Sequence, residues 1–166
     1  MKKILIIKHG SLGDIIFALE AMFAVRRKYP DSIIHLLTEK KYIAFFSKTK
    51  FFDKIIVEDR KNFLLISFLN LFQLLKENFD LIIDLQNSQR TSIYNLIFRL
   101  FNKGLICSSR PFAHIRYQIP IQGKETAKDG LSNQLKLLNI KTDAILSYDW
   151  LKIDIKEDTI KPLILI

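Results

Sequence analysis

The chain has 166 residues, 49% of them hydrophobic and 26% charged, the balance of one globular domain and far from that of a disordered tail. Twenty-six lysines and arginines against 17 acids give a net charge of +9, so an anionic partner is expected before a cationic one. Cys107 as the only cysteine excludes a disulfide framework, and the scattered His9, His35 and His114 argue against a Cys/His metal cluster.

The expected setting is reduced and cytosolic, with Cys107 serving as a small buried hydrophobe. The apolar run after Met1, Lys2 and Lys3 lasts only from Ile4 to Ile7, too short for a secretory signal. Phe63 to Leu75 is the longest greasy stretch, well short of the roughly 20 residues that span a bilayer.

Ile4 to Ile7 reads as a strand buried on both faces, and it leads into His9-Gly-Ser-Leu-Gly-Asp14. A helix follows, because Ile15, Ile16, Leu19, Met22, Phe23 and Arg26 recur at three- and four-residue steps until Tyr29-Pro30. Asp14 suits its first turn or its N-cap. Further along, Ile33 to Leu37 reads as a strand, Lys40 to Phe46 as a short helix and Lys54 to Val57 as a strand. Asn62 to Glu77 reads as a nearly buried helix with one polar stripe, Ser67, Asn70 and Gln73. Then come a strand at Asp80 to Asp84, a helix at Ser88 to Phe101, a short strand at Leu105 to Cys107, a loop from Ser108 to Lys124 and a last helix over about Thr126 to Leu138.

Strands alternating with helices of this length imply an α/β fold, a Rossmann-like parallel sheet with helices on both faces. Ligands of such sheets bind outside the carboxyl ends of the strands, which places His9 to Asp14 and Gln86 to Arg90 on one rim. The domain is expected to run over 1–155. Residues 156–166 read as a linker and a first strand, Leu163 to Ile166, of a missing second half; the alternative is that this strand completes the sheet.

Neither the dinucleotide fingerprint nor the phosphate loop fits Lys8 to Asp14. What remains is Gly10-Ser11-Leu12-Gly13 before a helix, where the backbone can approach a ligand and helix N–H groups face it. Asp14 is either a general base for an attacking hydroxyl or simply the acid that caps the helix. At a positive helix end it would be ionised and weakly basic.

Asp84 to Ser92 is the second rim segment. Gln86, Asn87 and Ser88 can hydrogen-bond a sugar, and Arg90 can fork onto a phosphate or carboxylate; the alternative is that Ser88 caps the helix and Arg90 is solvated. Residues 84–124 carry six cations against Asp84 alone, among them Arg110 and Arg116, which either gather around phosphates or lie in a solvated loop. No nucleic-acid motif accompanies this charge.

From Ile4 to Asp14 the residues resemble the opening of the glycosyltransferase family 9 proteins, the ADP-heptose:lipopolysaccharide heptosyltransferases and their relatives. The likeness continues through Asp14 to Met22, Ala24 to Pro30, Leu36 to Thr38, Phe51 to Lys54 and Phe79 to Gln86, so it covers essentially the whole chain. It implies the N-terminal half of a two-domain GT-B type glycosyltransferase, with the acceptor held by this half and the nucleotide sugar, ADP-heptose, by the missing one. It also implies that Asp14 is the base of an inverting transfer, with no metal and no cofactor bound in this half. The acceptor would be a phosphorylated, lipid-linked sugar of the lipopolysaccharide core type, met at the inner membrane surface, and the 166 residues alone would be inactive. Glu20 stands where many relatives carry a Pro soon after Gly-Asp, which points to a divergent subgroup. A non-enzymatic Rossmann-like module binding an anionic ligand or partner is the competing reading.

Overall fold

A computed structural model describes residues 1–58, 65–120 and 125–151, and only the backbone of 65–70. Six strands, β1 (Lys3–Ile7), β2 (Ile33–Glu39), β3 (Lys54–Glu58), β4 (Leu81–Asp84), β5 (Leu105–Ser108) and β6 (Ile115–Arg116), form one sheet. Its order is β3-β2-β1-β4-β5-β6, and every pair is parallel. The α/β expectation therefore stands. Ile6 lies opposite Leu36 on one side and Ile83 on the other, so β1 is central and the chain direction across the sheet reverses between β1 and β4. The loops after these two strands diverge there and open a crevice, the place where doubly wound sheets take ligands.

Alternation along β1 splits the core in two. Ile4 and Ile6 pack with α1 (Leu12–Lys28), α2 (Ile43–Ser47) and α5 (Ala127–Lys136), through Ile15, Leu19, Met22, Phe46, Leu131 and Leu135. Leu5 and Ile7 pack on the opposite face with α3 (Leu65–Lys76) and α4 (Gln89–Leu100), through Leu71, Leu74 and Phe98. No helix of the described residues is long and apolar enough to cross a membrane.

Several expectations change in detail. The first helix starts at Leu12 with Ser11 as its N-cap, so of the two places expected for Asp14 the first turn is the one it takes. Its buried stripe uses Ala18, Ala21 and Ala24 for close approach to the sheet, and Ile16 stays 48% exposed. Over its described side chains α3 is one-sided and not nearly buried, since Phe72 points to solvent beside buried Leu71, Leu74 and Leu75. The stretch from Ser108 to Lys124 is not all loop. Its two-residue β6 carries no hydrophobic run, yet it is fixed to β5 by His114 N–H to Ile106 O and Tyr117 N–H to Ser108 O, at 2.9 and 3.0 Å. The start of the helix expected at Asn62, the expected strand at Leu163 to Ile166 and the boundary at 155 lie outside the described residues.

Candidate functional site

The turn after β1 is fixed before any ligand arrives. Gly10 has φ +113°, a region open in practice only to glycine, and a Cβ placed there would stand 2.7 Å from Asp14 Oδ2. Its N–H donates to Glu39 Oε1 at 3.1 Å and its carbonyl accepts from Tyr42 Oη at 2.9 Å. The neighbouring His9 N–H donates to Gln86 Oε1 at 2.9 Å. Gly13 has no such constraint, since its nearest neighbour to an added Cβ is 3.8 Å away. Gly10→Ala is accordingly expected to cost about 1–3 kcal/mol in urea unfolding, the range for a strained backbone, and to displace the Asp14 carboxylate.

Ser11 and Asp14 form a capping box. Asp14 Oδ2 accepts from the Ser11 N–H at 2.9 Å and from its hydroxyl at 2.8 Å. These two bonds, helped by the charge of Lys8 and opposed by slight burial, hold the exposed Asp14 carboxyl below its usual range. Both readings of Asp14 thus describe one geometry: the acid that completes the cap is also solvent-facing and ionised.

Beyond β4 the polar residues are mostly committed to one another. Asp84 is fully buried; its Oδ1 accepts from the N–H groups of Gln86 and Asn87 at 3.0 and 2.9 Å, and its Oδ2 from Ser108 Oγ at 2.8 Å. Burial pushes its carboxyl up in spite of these bonds. Asn87, at φ +51°, donates to Gln134 Oε1 at 2.7 Å and accepts from Ser109 N–H at 2.8 Å. Gln134 in turn donates to Asp84 O at 2.9 Å, stitching α5 to the carboxyl end of β4.

The arginines disperse. Ser88 caps α4 in a second capping box. Arg90 turns inward, with Nη1 3.5 Å from Glu58 Oε1 at the end of β3. Arg110 Nε donates to Ser92 Oγ at 3.1 Å, and Arg116 Nε to Ser109 O at 3.3 Å. Glu58 is the centre of a buried cluster that no sequence pattern announced. Its Oε2 is 2.7 Å from His9 Nε2, and Oε1 accepts from Tyr94 Oη. Burial pushes this carboxyl up, but His9, Tyr94 and Arg90 outweigh it and the net direction is down.

A cleft of about 300 Å³ opens at the crevice between β1 and β4. Asp14, Gln86 and Asn87 line it, whereas Gly10, Ser11, Gly13, Ser88, Arg90, Arg110 and Arg116 do not. Sequence reasoning missed Lys8, Ser109, Tyr117 and Glu125, which also line it, and the far wall made by the start of α5 at Thr126, Ala127 and Gly130. Lys8 had a visible signal, a charge directly after a doubly buried strand. Tyr117 and Glu125 had none, because their bond at 2.6 Å closes a wall that only the fold assembles. Chemically the cleft offers an ionised carboxylate, a buried ammonium and amide and hydroxyl donors, a set suited to a hydroxyl-rich ligand.

No family model matches the sequence, and no curated protein matches it. Among solved structures the fold is similar to a family 9 glycosyl transferase from Veillonella parvula, at 21% identity and TM-score 0.65, covering 84% of this chain and 42% of that one. It is also similar to E. coli heptosyltransferase WaaC with ADP-2-deoxy-2-fluoro heptose, at 18% identity and TM-score 0.66, covering 87% of this chain and 50% of that one. The same E. coli enzyme with ADP matches at TM-score 0.64. The chain thus spans about half the length of these structures or less.

Proposed function

We propose that the chain is the acceptor-binding half of an inverting glycosyltransferase, with Asp14 as the base. The observation that carries this reading is the solvent-facing Asp14 carboxylate, ionised at the positive end of α1 and lining a cleft at the point where the sheet reverses. The likeness in fold to sugar transferases supports it.

An acceptor hydroxyl in the cleft donates its hydrogen bond to Asp14. As its oxygen bonds to the anomeric carbon of the donor, the bond from that carbon to the nucleotide's phosphate oxygen breaks on the opposite face. The nucleoside diphosphate leaves with the electron pair, the proton passes to Asp14, and the configuration inverts. Because Asp14 is a weak base, its main contribution before the transition state is orientation of the hydroxyl. The donor proposed is a nucleotide sugar, ADP-heptose, brought by a second domain; the acceptor is a phosphorylated, lipid-linked sugar of the lipopolysaccharide core type, met at the cytosolic face of the inner membrane.

The test is acceptor-dependent release of ADP from ADP-heptose by the full-length protein, with the product's anomeric configuration read by NMR. Release that requires the acceptor, with inversion, supports the proposal; no release sinks it. A non-enzymatic binding module is the second reading, favoured by one observation: both bonds to Asp14 Oδ2 come from Ser11 and need no ligand.

A further inference from the structure

Lys8 sits on the floor of the cleft, only 7% exposed. Of its three ammonium protons, one has an acceptor in hydrogen-bond reach among the described residues, Leu85 O at 3.2 Å. None of the described carboxylates lies within ion-pair distance of it. Burying an ammonium without a counter-ion is unfavourable, and the burial pulls this one below the usual lysine range in spite of the fields of Asp14 and Asp84. The two carboxylates that line the cleft meet other donors: Asp14 Oδ2 accepts from Ser11, and Glu125 Oε1 from Tyr117 Oη and Asn133 Nδ2.

Ser109 gives a second, independent sign. It is 6% exposed, lines the same cleft, and its hydroxyl has no partner among the described residues. Facing both is the first turn of α5, where Thr126, Ala127 and Gly130 border the cleft. Thr126 Oγ1 takes up the Asp129 N–H at 3.1 Å and donates to the Asp129 carboxylate at 2.6 Å. A helix start of this kind favours negative charge.

We propose that Lys8, Ser109 and the first turn of α5 form a subsite for an oxyanion, a carboxylate or phosphate borne by the acceptor close to the hydroxyl that Asp14 receives. The inference rests on the acceptor-half reading for the word acceptor, but the site itself follows from a buried cation with no ion-pair partner and a buried hydroxyl with no hydrogen-bond partner among the described residues. The oxyanion would neutralise Lys8 and accept from Ser109 Oγ, the charge pairing that the protein leaves open. It also gives specificity: a neutral sugar placed there would leave the ammonium desolvated and unpaired.

The full chain titrated with glucuronate, glucose 6-phosphate, glucose and ADP, and followed by amide NMR, tests this. Expected are shifts at the Ser109 and Ala127 amides with the two oxyanion sugars and none with glucose. Lys8→Met should weaken their binding at least tenfold with an unchanged or raised Tm, Ser109→Ala several-fold, and Lys8→Arg less than Lys8→Met. Absence of shifts, equal binding by Lys8→Met and Lys8→Arg, or shifts with ADP alone would overturn the assignment, the last by giving the site to the donor's phosphates. Binding with no sugar transfer in the full-length protein would sink the glycosyltransferase reading and leave the subsite standing; transfer with no effect of Lys8→Met on affinity would do the reverse.

Discussion

Asp14→Asn is expected to slow sugar transfer by the full-length protein by about 10²–10⁴-fold, the usual contribution of a positioned base, and to leave the fold intact. Asparagine is nearly isosteric and its carbonyl can still accept the Ser11 N–H, so the capping box survives in part. What is lost is a negative charge in the first turn of α1, worth about 0.3–1 kcal/mol at an exposed site. For a domain of this length that lowers Tm by about 2–4 °C at most. The two readings of Asp14 separate cleanly here. A residue that only caps the helix would show the small Tm shift with transfer within twofold of the parent, and that result would remove Asp14 from the mechanism.

The pH dependence follows from the same bonds. The folded-state carboxyl of Asp14 is held below its ordinary value, so its contribution to stability is present above the ordinary carboxylate range and fades as pH falls through the lower folded value. Asp14 and Asp14→Asn chains should therefore converge in stability on acidification. For turnover, the transfer rate should be flat through neutral pH and fall only in acid, as the base becomes protonated.

How much of this was legible from residues alone depends on whether the signal was local. Ile4 to Ile7 and Leu81 to Ile83 are continuous apolar runs and Ile33 to Leu37 is interrupted only by His35, and such runs separated by amphipathic helices specify a parallel sheet almost by themselves. The position of Asp14 was legible too, because a helix start is written in four adjacent residues. Arg90 was not. Its choice between solvent, a ligand and Glu58 depends on a partner 32 positions earlier at the far side of β2, and no periodicity encodes that. The two residues of β6 and the wall made by Tyr117, Glu125 and α5 escape for a related reason: each is held by a few single bonds between residues of one irregular stretch and its neighbours, such as Tyr117 N–H to Ser108 O and Tyr117 Oη to Glu125 Oε1, which leave no periodic trace. Ile16 is the converse case, since its three-residue step to Leu19 sets it on the apolar stripe of α1 and yet it stays 48% exposed.

Glu58→Ala is the substitution with the largest expected effect on stability. Glu58 and His9 are each only 2% exposed at the side chain, and Arg90 and Tyr94 reach the same carboxylate from α4. A buried ion cluster need not be a net gain over an apolar one, but removing one member leaves desolvated charge behind, typically at about 3–5 kcal/mol. Urea unfolding of Glu58→Ala should show a loss of that size at neutral pH. Glu58→Gln keeps an acceptor for Tyr94 and should lose less, about 1–3 kcal/mol, the penalty for a buried polar group left poorly matched. The net downward pull on the Glu58 carboxyl fixes the sign with pH. Its stabilisation is present above the ordinary carboxylate range and lost as pH falls through the folded value, so the gap between parent and Glu58→Gln should narrow in acid. A constant gap would mean that the carboxylate's charge contributes nothing and that shape alone matters. The consequence reaches the cleft, because His9 directly precedes Gly10 and the Ser11–Asp14 box. Releasing its imidazole loosens the segment that presents the base, and Glu58→Gln should lower the transfer rate of the full-length protein without altering oxyanion binding at Lys8.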